Sequence, residues 1–323
     1  MATIKDVAKK ANVSVATVSR VLNSTGYVNV ETKEIVLSAI KELNYTPSEL
    51  ARSLFKKQSN LIGVIIPHLT SYFFAELIEA LEDAVIDRGY RLMIFNARND
   101  QEREEKFLSV FSQYHLSGLI IATQLNSLEN YKKLKLPIMA IDHHIDDGIP
   151  SVSSDNVLGG RLAAEHFVAQ GHKKVIHFRG ASFLLTVKQR DQGFKDALKK
   201  ASVKVIDEDV DFNTPDVNLI EETLKKHPDA KGIFCDGDVI AMHVLRTAKL
   251  MGINIPDDIE VIGFDDLRLN SLLQPTLSSI KQDIRTMALL TIDGLIERIL
   301  HPDKILPPQQ TLPVTLVKRE STH

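Results

Sequence analysis

A single cysteine, Cys235, stands in this chain of 323 residues. That excludes an intrachain disulfide and fits a reducing compartment. Cys235 ends an apolar run and has no recognised catalytic partner in the sequence, so it reads as a buried structural thiol. Long apolar runs are also missing. The stretch Leu61–Pro67 falls far short of the ~18 residues a membrane span needs. The opening Met-Ala-Thr-Ile-Lys-Asp has no apolar core, so no secretory signal is expected and the cytoplasm is the expected location. Enzyme signatures are absent too. No glycine-rich dinucleotide turn, phosphate-binding loop or nucleophile elbow occurs, so no catalytic residue is assigned and the chain is not expected to be an enzyme. His143-His144 lie beside Asp142, Asp146 and Asp147, but adjacent residues rarely chelate one ion and no helical His pair supports them. No metal and no cofactor are expected.

What is present is ordinary for a folded protein: 44% hydrophobic and 25% charged residues. The length suggests two or three folded units. Net charge is −3, which taken alone speaks against a nucleic-acid partner. The average conceals a division. Residues 1–58 carry nine Lys/Arg against five Asp/Glu, so this head is +4 and the remainder is −7. A cationic head on an anionic body suggests an anionic partner for the head.

Three short helices are predicted in that head. Thr3 and Asp6 form a capping box before a helix over residues 4–11, with Ile4, Val7, Ala8 and Ala11 on one face. Ser14 caps a second helix over Val15–Asn23, with Val18, Val21 and Leu22 inward. A third spans about Glu31–Leu43. Two short helices joined by a tight turn and closed by a third form a helix-turn-helix, whose second helix enters the DNA major groove. Val15 and Ala16 can touch thymine methyl groups, Thr17 and Ser19 are polar neighbours, and Arg20 can read guanine or bind phosphate. A three-helix protein-interaction unit is the competing reading. Thr46-Pro47-Ser48-Glu49 then signals another helix start, continuing through Leu54 to a polar linker. A helix this short is marginal alone, so a symmetry mate on DNA would support it, with Leu54 wedged into a minor-groove step.

The blocks Ala2–Ala8, Val13–Asn23 and Pro47–Leu54 resemble the lac/gal repressor family. The resemblance implies a homodimer whose paired heads bind double-stranded, palindromic operator DNA. It adds Thr3, Ser14 and Asn23 to Val15, Ala16, Thr17, Ser19, Arg20 and Leu54 as the DNA-binding set. The expected divisions are residues 1–45 for the head, 46–60 for a hinge helix and linker, and 61–323 for an effector-binding domain.

From residue 61 onward strands and helices alternate, which implies parallel sheets covered on both faces. The pattern restarts near Val157, so a two-lobed α/β body with a cleft is predicted. The resemblance agrees: it implies a periplasmic-binding-protein-like fold, crossed three times by the chain. The lobes would be about 61–157 plus 286–312, and about 158–285 plus 313–323. The last helix, about Asp283–Leu300, would return to the first lobe, and a final strand near Leu312–Lys318 to the second. No extended C-terminal heptad follows, so a dimer without a tetramerisation tail is expected.

Strand ends should supply the ligand groups. They bring Ser71-Tyr72-Phe73-Phe74, Asp142-His143, Arg190, Asp236, Asp265 and Gln282. Carboxylates beside an Arg suit a polyhydroxy ligand, because Asp accepts hydroxyl hydrogens and Arg donates. Singly, each is more often a helix cap or surface charge. The resemblance assigns Phe73, Phe74, Asp142, Arg190, Asp265 and Gln282 to the effector pocket. Within the family, segments such as Arg179-Gly180-Ala181 and Ser278–Gln282 are most similar to ribose operon repressors, with sucrose operon repressors next. That implies ribose or a related sugar as effector; a purine-type repressor using a co-repressor is the alternative. Two departures bear on this. His143 stands where such a pocket usually has Arg, and Gly237 where it often has Asn. Asp236 or His143 is the expected compensation. Whether the effector releases or strengthens DNA binding is left open by the sequence.

Overall fold

The computed structural model describes residues 2–23, 26–45, 59–124 and 128–323. The chain divides into two compact units, Met1–Ser59 and Asn60–His323. In the first, α1 (Ile4–Lys10), α2 (Val15–Asn23) and α3 (Val30–Glu42) form the predicted three helices. Thr3 Oγ1 accepts from Asp6 N and Asp6 Oδ2 accepts from Thr3 N at 2.8 Å, completing the capping box. Ser14 Oγ accepts from Thr17 N at 3.1 Å, and Asn29 Oδ1 from Thr32 N at 2.8 Å. Val7, Ala8, Ala11, Val18, Val21, Val36 and Ala39 make the small core. The hinge helix expected over 46–60, with its wedge Leu54, falls almost wholly outside the described residues.

The second unit holds two six-stranded sheets. The first contains β1 (Leu61–Ile66), β2 (Arg91–Asn96), β3 (Gly118–Ile121), β4 (Ile138–Ile141), β5 (Ser151–Ser154) and β11 (Gln309–Leu312), in the order β11-β5-β4-β3-β1-β2. The second contains β6 (Lys174–Arg179), β7 (Lys204–Asp209), β8 (Gly232–Cys235), β9 (Glu260–Asp265), β10 (Ser278–Lys281) and β12 (Thr315–Val317), in the order β12-β10-β9-β8-β6-β7. All pairings are parallel except β10 with β12. Helices cover both faces: α4 (Tyr72–Ile86), α5 (Gln101–Tyr114), α6 (Leu128–Lys132) and α11 (Ile284–Leu300) on the first sheet, and α7 (Asn156–Ala169), α8 (Leu185–Lys200), α9 (Val217–Lys226) and α10 (Asp238–Leu250) on the second.

Apolar spacing explains the packing. Leu77, Leu81 and Val85 of α4 and Met287, Ala288, Ile292 and Leu295 of α11 bury against Ile62, Val64 and Ile66 of β1. Truncating one such Leu costs about 2–5 kcal/mol. The chain crosses between sheets after β5, after β10 and between β11 and β12. Leu267, Val239 and Met242, all from the second lobe, pack on the first lobe's core. Six elements escape sequence reading, among them the short α6 and the serine-rich β10. Strand β5 is Ser-Val-Ser-Ser, fully buried between β4 and β11 and without alternation; β7 is a half-buried, charged edge strand; β11 is an exposed polar edge; α9 follows β7.

Candidate effector cleft and DNA-binding face

On α2, Val15, Ala16 and Arg20 are exposed, Thr17 and Ser19 half-buried, and Val18 and Val21 in the core. The outward face is therefore the one expected to meet base edges. Thr3 and Ser14 are engaged as caps, with Ser14 Oγ also 2.9 Å from Thr17 Oγ1. Asn23 closes α2.

In the second unit, a cavity of about 430 Å³ lies at the carboxyl ends of the strands. Ser71, Phe73, Phe74, Asp142, Arg190, Asp265 and Gln282 all line it. The first lobe supplies the loop after β1, the start of α4 and the ends of β3 and β4. The second supplies the ends of β6 to β10 and the first turns of α8. This is the usual ligand position for such sheets.

Arg190 is held on three sides. Its Nε donates to Asn156 Oδ1 at 2.8 Å, its Nη1 donates to the Asp236 carbonyl, and its guanidinium lies 3.6 Å above the centroid of Phe264. Two glycines set its height. A Cβ on Gly160 would fall 2.0 Å from Arg190 O, and one on Gly193 would fall 1.9 Å from Val157 O, so α7 and α8 approach this closely only without side chains there.

Both carboxylates sit in strained backbone. Asp142 has φ +71° and Asp265 has φ +114°, conformations that non-glycine residues hold only when their surroundings impose them. Burial pushes the Asp142 carboxyl up to about 6, although Arg190 pulls it down. Its Oδ1 is buried with no hydrogen-bond partner among the described residues. Burial also lifts Asp265 well above the carboxylate range, with Arg190 opposing and Asp238 reinforcing the shift. Gln282 Nε2 donates to Asp265 Oδ1 at 2.7 Å, while Gln282 Oε1 has no partner among the described residues. Buried polar atoms left open on a cavity wall are groups a polar ligand can satisfy.

Two expected ligand groups are corrected. His143 is buried and does not line the cavity; its Nδ1 lies 3.1 Å from Ile141 O, and burial lowers it to about 4. Asp236 is fully buried beneath the cavity floor. Its Oδ1 pairs with His177 Nε2 at 3.0 Å and its Oδ2 accepts from Gly180 N at 3.0 Å. Neither lines the cavity beside the departures at 143 and 237. Sequence reading also missed lining residues: Thr123 and Gln124 after β3, Phe183 and Thr186 before and on α8, and Asp211, Phe212 and Asn213 after β7. Recognising β7 would have pointed to the last three.

The lobes are joined across the cleft. Leu185 N donates to Gln124 Oε1 at 3.0 Å. Arg268 N donates to Glu76 Oε1 at 3.0 Å, and the Arg268 guanidinium bonds Glu79. No helix among the described residues is long and apolar enough to cross a membrane.

Residues 3–48 match the model for bacterial regulatory proteins of the lacI family, and residues 59–310 match that for periplasmic binding proteins and the sugar binding domain of the LacI family. The chain belongs to the LacI family. A ribose operon repressor of Halalkalibacterium halodurans is 39% identical over 100% of this chain and 97% of its own length. A lac repressor dimer, solved bound to operator and an anti-inducer, superposes with a TM-score of 0.88 at 27% identity, covering 99% of this chain and 98% of that one. A LacI-family regulator from Enterococcus faecium with bound ribose superposes at 0.73 and 27% identity, covering 81% and 98%. This LacI-family member is thus a DNA-binding transcriptional repressor with a sugar-binding-type body, and not an enzyme.

Proposed function

We propose that this LacI-family repressor acts in the cytoplasm as a homodimer and that ribose, or a closely related pentose, bound in the cleft releases it from a palindromic operator. The observation that carries the sugar reading is the buried Asp142 Oδ1, without a partner among the described residues, on the cavity wall close to Arg190. A hydroxyl donated to it removes the cost of burying that oxygen unsatisfied, about 1–3 kcal/mol. Asp142 and Asp265 accept from hydroxyls, Arg190 and Gln282 hold ring and hydroxyl oxygens, Ser71 adds a hydroxyl, and Phe73 and Phe74 cover the apolar face of the ring. The names of the relatives support the same sugar class. On the DNA side, Val15, Ala16, Thr17, Ser19, Arg20 and Asn23 of α2 meet base edges and phosphates, Thr3 and Ser14 fix the helix starts, and Leu54 wedges the minor groove.

Mechanistically, the sugar binds both lobes at once and so favours one lobe arrangement by its differential affinity for it. The test is calorimetric titration of the full chain with D-ribose, other pentoses, sucrose and hypoxanthine, paired with operator binding by fluorescence anisotropy. Saturable binding of a pentose with loss of operator affinity is expected. Binding of hypoxanthine alone, with tighter operator binding, would replace the pentose with a purine co-repressor.

A further inference from the structure

Below the cleft, His177 of β6 is wholly buried and lies amid carboxylates on both sides of its ring. Nε2 is 3.0 Å from Asp236 Oδ1; Nδ1 is 3.4 Å from Asp191 Oδ1 and 3.8 Å from Asp207 Oδ1. Phe234 stacks on the ring with centroids 4.8 Å apart, and Phe194 lies 4.9 Å away, so the ring and Asp236 are sealed from water while Asp191 and Asp207 stay partly exposed. A neutral imidazole has one bare nitrogen lone pair. Nδ1 makes no hydrogen bond among the described residues, so the contact on that side is ionic; a lone pair on either nitrogen would face a carboxylate oxygen, and the doubly protonated ring suits both sides.

The charged groups packed here agree. Strand β6 brings Arg179, β7 brings Asp207 and Asp209, α8 brings Arg190, Asp191 and Lys195, and the turn after β8 brings Asp236. The carboxylates Asp191, Asp207, Asp209 and Asp236 outnumber Arg179 and Lys195, so a positive His177 reduces the excess; Arg190 meets Asp236 only through its carbonyl and also faces Asp142 and Asp265. His177, Asp191 and Asp207 are close enough to hold a metal ion, but Lys195 Nζ already bridges the two carboxylates at 2.7 and 2.8 Å. Burial alone would lower His177; the Asp236 carboxylate, with Asp191, outweighs it and the net shift is upward.

Asp236 is the link to the cleft. Its carboxylate takes His177 and the N–H of Gly180, and its carbonyl accepts from Arg190 Nη1. We infer that His177 is a positioning residue, held as a buried imidazolium, that fixes Arg190 through Asp236 and so ties effector affinity to a proton remote from the effector. This rests on the reading of Arg190 as a sugar-binding group.

Two measurements on the full chain test it. First, imidazole ¹⁵N NMR of the ligand-free protein should show one histidine protonated on both nitrogens above pH 7, with a lower midpoint in Asp207→Asn. Second, His177→Gln, which keeps a donor but no charge, should move the Arg190 Nε–H resonance without ligand. It should also weaken ribose binding about tenfold, the scale of exchanging a charge-assisted hydrogen bond for a neutral one. Wild-type ribose affinity should fall as His177 loses its proton at high pH; Asp207→Asn should leave affinity at pH 6 intact and bring that fall to lower pH. A neutral His177 at pH 7 overturns the inference, as does an unmoved Arg190 resonance in His177→Gln. If wild-type protein binds no pentose, the sugar reading falls, while both NMR signals still decide the state and role of His177.

Discussion

Gln282 donates its Nε2 to Oδ1 of Asp265 at 2.7 Å, joining the ends of two neighbouring strands, β10 and β9, at the cleft. No other described residue donates to that oxygen. The pair orders a carboxyl that burial and a positive φ would otherwise disfavour. Gln282→Leu removes the donor and keeps the volume. A buried acceptor left open costs about 1–3 kcal/mol, so thermal denaturation should register a fall of several degrees and pentose affinity should drop. Unchanged values of both would show that the pair is incidental.

Arg190 has a sharper signature. Arg190→Ala should abolish the effector response and leave operator affinity within twofold, because Arg190 belongs to the second unit and the DNA-binding face to the first. Each lost charge-assisted bond to the sugar is worth about 1.5–3 kcal/mol, or ten- to over a hundredfold in affinity. Calorimetry and anisotropy on one preparation check both halves. Arg190→Lys should fail almost as badly, since an ammonium cannot serve Asn156, the Asp236 carbonyl and the Phe264 face together.

Asp142 predicts a pH dependence. Its folded pKa is raised from 3.8 to about 6, so between those values the folded chain holds a proton that the unfolded chain has lost. Asp142 therefore makes the ligand-free fold less stable as pH climbs from about 4 to 6, and the cost is complete above 6. A sugar that donates hydroxyls to the ionised carboxylate offsets that cost. Pentose affinity should accordingly rise between pH 5 and 7, and Asp142→Asn should flatten the rise. Titrations at half-unit intervals of pH provide the measurement.

The two bridges between lobes should differ in effect. Arg268 and Glu79 are largely exposed, and exposed pairs contribute about 0–1 kcal/mol. Arg268→Ala should change effector affinity by no more than about fivefold. Gln124 lines the cavity and accepts from Leu185 N at the start of α8. Gln124→Ala removes both a ligand contact and a bridge, so it should weaken effector binding more. Equal effects of the two substitutions in calorimetry would count against closure through Gln124.

Apolar periodicity made the three head helices and the two α/β lobes legible, because Val7, Val18, Val36, Leu77 and Ile292 must be buried whatever surrounds them. Cavity residues at the ends of β1, β4 and β9 were legible for the same reason: each follows an apolar strand, whereas Gln282 follows the serine-rich β10 and was placed by the resemblance. Strand β5 was not, since buried serines paired on both sides carry no hydrophobic signal. Asp236 and His143 were misjudged because sequence gives position along the chain but not direction. Asp236 follows β8 yet turns to His177, and His143 follows Asp142 yet turns into the first lobe. The His177 network was illegible, as it unites residues from β6, α8, β7 and the turn after β8 that only the sheet order β8-β6-β7 makes neighbours.

The head's charge yields the last prediction. Arg20 is exposed on the outward face of α2, and the head is +4 while the body is −7. Two heads on one operator meet phosphates and release counterions, so the logarithm of operator affinity should fall linearly with the logarithm of salt concentration. Arg20→Ala separates two roles. If Arg20 binds phosphate, affinity falls on all sequences and the salt slope shrinks by about 1 per head. If it reads guanine, the slope is nearly kept while discrimination between operator and random DNA falls by about 1–3 kcal/mol per contact. The exposed apolar pair Val15 and Ala16 one turn earlier favours the second outcome, since they bring this face against base edges. Anisotropy titrations of both DNAs between 50 and 200 mM salt, roughly the range over which such contacts dominate, decide which holds.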